Sequence, residues 1–139
     1  MALDLHISTG STNPIYRQIV DQVRRAVACR ELAVGDQLPS VRALAERLVV
    51  NHNTVAKAYA ELVRDGVIES RHGRGVFVAK KRSIFTKAER NRRLETVLDA
   101  FVSEAVILDF DDDEIRWAIE RKLKELNGRG RAKGDEDGT

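Results

Sequence analysis

Cysteine is nearly absent from this chain of 139 residues: Cys29 is the only thiol, which rules out an intramolecular disulfide and a cysteine-rich zinc site. A single thiol near the end of an apolar helix reads as packing, not redox sensing. No apolar run is long enough to span a bilayer, and the start, MALDLH, lacks the basic residues and hydrophobic stretch of a signal peptide. The expectation is a soluble cytoplasmic protein with no membrane contact. Histidine is scarce too, and His6, His52 and His72 all lie before residue 80, so the acidic C-terminal part cannot build a histidine-containing metal site. No internal repeat is present, and the length allows one ordinary domain or two small ones.

Charge is plentiful but unevenly placed. Residues 1–79 carry ten Lys/Arg against eight Asp/Glu, residues 80–94 carry seven against one, and residues 95–139 carry seven against thirteen. The basic run (Lys80, Lys81, Arg82, Lys87, Arg90, Arg92, Arg93) suits nearby phosphates or, equally, a solvated linker and first helical turn.

The informative stretch is Gln37 to Ala79, QLPSVRALAERLVVNHNTVAKAYAELVRDGVIESRHGRGVFVA. Ser40 is a natural N-cap, and Val41, Leu44, Ala45 and Leu48 behind it share one helical face. Asn51 caps a second helix whose stripe is Val55, Ala58, Leu62 and Val63, ended by Gly66. Two amphipathic helices joined so tightly must cross at a large angle. The period then becomes extended: Val67-Ile68 and Val76-Phe77-Val78 flank His72-Gly73-Arg74-Gly75, whose glycines supply the positive φ of a tight hairpin. Helix, turn, helix and hairpin in this order predict a winged helix-turn-helix.

These residues resemble the N-terminal domain of the GntR family of bacterial transcription regulators. The matching pieces are Leu38-Pro39-Ser40 with Arg42, Leu44-Ala45, Thr54-Val55, Leu62, Gly66, and the run Arg71, Gly73, Gly75, Phe77, Val78. Asn51-His52-Asn53-Thr54-Val55 and the short chain look most like the YtrA subgroup. Val49 stands where much of the family has glycine, so that turn is either αR-like or mildly strained. His52 stands where many members have arginine. The resemblance implies that Arg42, Asn51, His52, Thr54, His72 and Gly73 face DNA, and that the short helical C-terminal region dimerises the protein. A chain of this length is too short for the aminotransferase-like domain that some relatives of the family carry.

Helix-turn-helix domains insert the N-terminal end of the second helix into the major groove, which places Asn51, His52, Asn53, Thr54 and Lys57 near bases and phosphates. Asparagine pairs bidentately with adenine and arginine with guanine, so Asn53 and Arg42 are the candidate base readers. Asn51 either touches DNA or serves only as a cap. Arg71 and Arg74 are wing charges, and the wing glycines allow close backbone approach to phosphates or the minor groove.

Before this motif, Leu3, Leu5 and Ile7 alternate as an edge strand or pack on the first helix. Asn13-Pro14 signals the start of that helix, with Ile15, Ile19, Val23 and Val27 along one side. Beyond the motif, Thr86-Lys87-Ala88-Glu89 fits a capping box. Leu94, Leu98, Phe101, Ala105 and Leu108 follow at heptad-like spacing. Asp109 to Asp113 breaks the helix, and another begins at Asp111-Glu114 with Ile115, Ile119, Leu123 and Leu126 on its apolar side. The expected domains are 1–79, a winged helix; 80–127, a linker and two-helix dimerisation region; and 128–139, a disordered tail. Two helices alone enclose too small a core, so the simplest partner is the same pair from a second chain, with contacts through Leu94, Leu98, Phe101, Ala105, Leu108, Ile119 and Leu123.

The acidic run Asp109 to Glu114 lacks the glycine and distant glutamate of a calcium loop, so capping is the better reading and no metal is expected. Ser40, His72 and Asp36 form a triad by composition only. Trp117 lies about 200° around its helix from Ile115, where it fills a dimer interface, lines a small effector pocket, or simply stacks on Arg121. The chain thus reads as a mainly α protein with a small β wing: a homodimeric repressor of an inverted-repeat operator in double-stranded DNA, not an enzyme, without a cofactor and with a possible small-molecule effector. The rival reading is a winged-helix interaction adaptor that binds no specific DNA.

Overall fold

Proline at position 14 and the apolar residues behind it start the first helix, α1, which runs Ile15–Ala28 in the computed structural model. The structure describes residues 3–80 and 85–137, and the chain divides into two compact units, Met1–Arg82 and Ser83–Thr139. Pro14 stands at the N-cap, and Asn13 makes no side-chain cap. The Asn13 carbonyl instead accepts from the Gln18 side chain at 2.8 Å, and the Pro14 carbonyl accepts from the Gln18 amide at 3.1 Å. Gln18 is buried, and it also brackets Ser8, donating to its carbonyl at 2.9 Å and accepting from its amide at 2.8 Å. Gln22 does the same for His6, at 2.7 Å and 2.9 Å. The lead segment is therefore no edge strand: two glutamines satisfy its backbone on the flank of α1 while Leu3 enters the core.

The strand β1, Gln37–Leu38, is only two residues long and precedes α2, Val41–Leu48, and α3, His52–Arg64. Ser40 caps α2, its Oγ accepting from the Ala43 amide at 3.0 Å; Asn51 caps α3, its Oδ1 accepting from the Asn53 amide at 2.8 Å. The stripe of α3 is Val55, Ala58, Tyr59 and Leu62. Val63, expected in that stripe, is exposed, and Tyr59 takes its place because it lies closer to the centre of the apolar arc. α3 packs on both α1 and α2 and touches β2, Ile68–Arg71, which pairs antiparallel with β3, Gly75–Val78. The sheet order is β1-β3-β2, with Leu38 opposite Val76. The buried Tyr59 hydroxyl donates to the Pro39 carbonyl at 2.7 Å, tying α3 to the start of α2, and burial raises its pKa against a smaller opposing pull from Arg47.

The second unit holds α4, Lys87–Ile107, and α5, Asp112–Asp137. Thr86 caps α4, accepting from the Glu89 amide at 3.2 Å. The reciprocal half of the capping box does not form, because the Glu89 carboxylate pairs with Arg92 and Arg93 instead, and those hydrogen bonds lower its pKa. Asp111 caps α5, accepting from the Glu114 amide at 2.8 Å. α5 does not stop at Asn127 but stays helical to Asp137: an interior glycine such as Gly128 costs about 1 kcal/mol without ending a helix, and the arginines and lysines around it are good helix formers. Gly138 and Thr139 of the expected disordered tail lie outside the described residues.

Helices α2, α3 and α4 end alike, with a left-handed residue between paired backbone bonds: Val49 (φ 55°), Gly66 (φ 75°) and Asp109 (φ 68°). Glycine suits that conformation and Val does not. Val49 is 89% exposed, so no packing offsets its backbone cost. Val49→Gly should raise stability by about 1 kcal/mol, measured as a higher urea midpoint at unchanged slope; an unchanged or lower midpoint would show that the turn carries no strain.

Candidate nucleic-acid interface

Because Val55, Ala58, Tyr59 and Leu62 all turn inward, helical geometry points Asn53, Lys57, Ala60 and Arg64 outward. His52, Asn53 and Lys57 are exposed, as is the cap residue Asn51; Thr54 is half-buried at the edge of the stripe. Asn51 Oδ1 already accepts the cap bond, which leaves its amide NH2 and one oxygen lone pair for another partner. Ala60, exposed and with no bulk to hold a groove wall away, lies beside the polar residues of this outward face, with the half-buried Ala56 at its edge. The sequence reading missed them because small residues carry no chemical signal.

Arg42 projects from the first turn of α2, exposed, with its Nε 3.4 Å from Glu46 Oε1. In the wing, Arg71, His72, Gly73 and Arg74 are all exposed, and the Arg74 amide donates to the Arg71 carbonyl at 3.0 Å across a turn in which Gly73 has φ 73°. Arg71 and Arg74 differ. Arg71 is held on its own strand, donating to Glu69 Oε1 at 3.1 Å from Nε and 2.7 Å from Nη2, with its guanidinium 4.5 Å from the Phe77 ring centre. The Arg74 guanidinium has no carboxylate partner among the described residues. Gln37 braces the wing from β1, donating to the Arg74 carbonyl at 3.1 Å, and a Cβ at Gly75 would lie 2.7 Å from the Gln37 amide nitrogen. The roles of Gln37 and Phe77 appear only when the strands bring them beside the basic residues, whereas Glu46 and Glu69 are neighbours of Arg42 and Arg71 on the same helix and the same strand.

Lys57 has an aromatic neighbour from another helix: its Nζ lies 3.9 Å from the centre of the Tyr16 ring on α1. Arg17, next to Tyr16, pairs with Glu61 of α3 at 3.0 Å, and Glu61 also holds Arg64 at 3.5 Å.

In the second unit the residues expected at a dimer contact are uncovered. Leu94, Leu98, Phe101, Leu108, Ile119 and Leu123 are exposed, and only Ala105 is buried. The expected apolar side of α5 is thus not buried within one chain, because α4 and α5 make no extensive packing with each other. A hollow of about 580 Å³ lies between them, lined by Phe101, Ala105, Leu108, Phe110, Trp117 and Ala118. Trp117 is 63% exposed, with Arg121 stacked 4.9 Å from its ring. Of the basic run, Lys81 and Arg82 lie outside the described residues. Among the described residues no group of His, Cys, Asp and Glu comes together to hold a metal, and no helix is long and apolar enough to cross a membrane.

Residues 15–78 match the model of the bacterial regulatory proteins of the gntR family. The chain is 38% identical over 109 residues to an uncharacterised helix-turn-helix transcriptional regulator, YhcF, of Bacillus subtilis, spanning 78% of this chain and 89% of that one. Among solved structures it is similar to a transcriptional antiterminator from Listeria monocytogenes, with a TM-score of 0.74, 32% identity, and coverage of 88% of this chain and 92% of that one. It is also similar to YtrA from Sulfolobus acidocaldarius, a GntR-family transcription factor, with a TM-score of 0.56, 36% identity, and coverage of 88% and 99%. The chain belongs to the gntR family: it is a sequence-specific DNA-binding regulator built on a winged helix-turn-helix, and not an enzyme.

Proposed function

We propose that the chain is a cytoplasmic repressor of the YtrA-like subgroup that binds an inverted-repeat operator as a homodimer. Residues 1–79 bind DNA, and residues 80–127 link and dimerise. The observation that carries the dimer is the exposed seam Leu94, Leu98, Phe101 and Leu108, an apolar face that a lone chain leaves in water. A two-fold partner covers the same face on both copies and sets two recognition helices on one side of the duplex. Base contacts fall to Arg42 and Asn53, with His52, Thr54 and Asn51 beside them; Lys57, Arg71, His72, Gly73 and Arg74 meet the backbone. Ile119 and Leu123 extend the dimer contact.

The half-sites should lie about one helical turn, roughly 34 Å, or a multiple apart. Phe101→Asp should give a monomer that binds weakly. A Phe101→Asp protein that sediments as a dimer and binds normally would refute the dimer seam. If the wild-type chain fails to shift any palindromic fragment, or binds with no salt dependence, the adaptor reading holds instead.

Arg42→Ala should weaken the preferred operator by about 1 to 3 kcal/mol and relax preference at one base pair, whereas Arg74→Ala should weaken all sequences alike and flatten the salt slope. A randomised-site selection in which Arg42→Ala leaves the preference matrix unchanged would remove Arg42 from the base readers.

The hollow beside Trp117 is the place for a small effector, which acts only by favouring one dimer arrangement over another. Such a compound should shift the emission of this single tryptophan and DNA affinity together. A compound that releases DNA, leaves the emission unchanged and crosslinks to the winged helix would place control elsewhere.

A further inference from the structure

Most arginines around the recognition helix, on α1, α2, α3 and β2, are already paired. Arg42 leans on Glu46, Arg71 on Glu69, and Arg17 and Arg64 on Glu61. Lys57 has no carboxylate partner among the described residues. What fixes its ammonium, 3.9 Å from the ring centre, is the face of Tyr16. A carboxylate holds a cation by cancelling its charge; a ring holds it through its quadrupole and leaves the full charge to act outward. A lysine side chain is otherwise a flexible four-carbon stem, and ordering it only on contact with DNA would cost affinity.

The ring itself is well anchored. Tyr16 sits in the first turn of α1 and packs against the hydrophobic core. Arg17 stands 5.3 Å from the ring centre and is tied across to α3 through Glu61. α1 and α3 are packed together along this face, so the ring and Lys57 keep their spacing as long as the core is intact.

We propose that Tyr16 is a positioning residue for DNA binding: its ring holds the Lys57 ammonium, ordered and uncancelled, beside the recognition helix to meet a phosphate. The inference rests on the reading of Lys57 as a backbone contact. It gives α1 a part in recognition beyond supporting α3.

The test uses the full-length chain and a duplex of scrambled sequence, since a phosphate contact does not depend on the operator. Affinity is followed by fluorescence anisotropy across a salt series for wild type, Lys57→Ala, Tyr16→Leu, Tyr16→Phe and the Lys57→Ala/Tyr16→Leu double variant. Lys57→Ala should weaken binding about three- to tenfold and reduce the salt slope by about 0.9, the loss of one phosphate. Tyr16→Leu should reproduce most of that loss, Tyr16→Phe should retain wild-type behaviour, and the double variant should bind no worse than Lys57→Ala alone. The positioning role is overturned if Tyr16→Phe falls as far as Tyr16→Leu, which would assign the effect to the hydroxyl, or if the two losses add in full. If Lys57→Ala itself changes nothing, the reading of Lys57 as a phosphate contact fails first, and the proposal with it. A DNA-free measurement guards against Tyr16→Leu unfolding: in wild type and Tyr16→Phe the Lys57 ε-methylene protons should be shifted upfield by the ring current, and unshifted protons would overturn the geometry.

Discussion

Everything in the first unit depends on the burial of one stripe of α3. Val55, Ala58, Tyr59 and Leu62 are the only residues of that helix lost to solvent, yet they face α1, α2 and the sheet together. Full burial of each large apolar side chain contributes about 1.5 to 3 kcal/mol. The helix is thereby held from three sides with its opposite face free. A helix that presents side chains to a groove must be rigid in orientation without using its outer face for packing, and this stripe meets both demands. Tyr59 adds a directional constraint: its hydroxyl bond to Pro39 links α3 to the residue just before the cap of α2, from whose first turn Arg42 projects.

Legibility in the sequence followed the range of each interaction. The caps at Ser40, Asn51, Thr86 and Asp111 are local, each spanning two or three residues, and a pattern of residue types discloses them. The hairpin glycines and the helix stripes are equally local. β1 was invisible because two residues become a strand only by pairing with β3, far along the chain. The Asn13 cap failed for a related reason: the buried Gln18 amide competes for the chain around it, tying Asn13 and Ser8 at once, and nothing in an Asn-Pro pair reports that. Of the candidate site, the basic residues were legible by type, while the groups that hold them were not. Tyr16 and Glu61 reach Lys57 and Arg17 only across packed helices, whereas Glu46 and Glu69 lie four and two residues from their arginines and were passed over.

Those glutamates give the DNA-facing surface a particular electrostatic character. Exposed ion pairs such as Arg42 with Glu46 are worth only about 0 to 1 kcal/mol, so a phosphate or base edge can displace the carboxylate at little cost. Until that happens the arginines are partly neutralised, and residues 1–79 carry ten basic against eight acidic side chains. With so small a net charge the unit attracts arbitrary DNA chiefly through cations such as Lys57 and Arg74, because non-specific affinity grows with the number of phosphates neutralised. Discrimination then depends on sites whose geometry repays the exchange of partners.

The second unit poses the opposite problem, an excess of apolar surface. At about 100° per residue, the apolar side chains of α4 and its cap residue, from Val97 through Leu108, Phe101, Leu94, Ala105, Leu98 and Val102 to Val106, spread over an arc of about 180°, and Ile107 lies about 100° beyond Val106. One-sided packing needs an arc of only about 100°, and a two-stranded coiled coil needs less. α5 cannot cover this surface within the chain, since the two helices diverge around the hollow beside Trp117. A single helix from a partner would leave a flank of α4 wet. In the proposed dimer each α4 therefore lies between two helices, the partner's α4 on one flank and an α5 on the other. α5 is fitted for such sharing: Ile115, Ala118, Ile119 and Leu126 occupy one side while Trp117 turns to another, so it can contact two apolar surfaces at once. On this arrangement the partner's helices narrow the hollow, and how deeply they enter it sets the room left for the proposed effector.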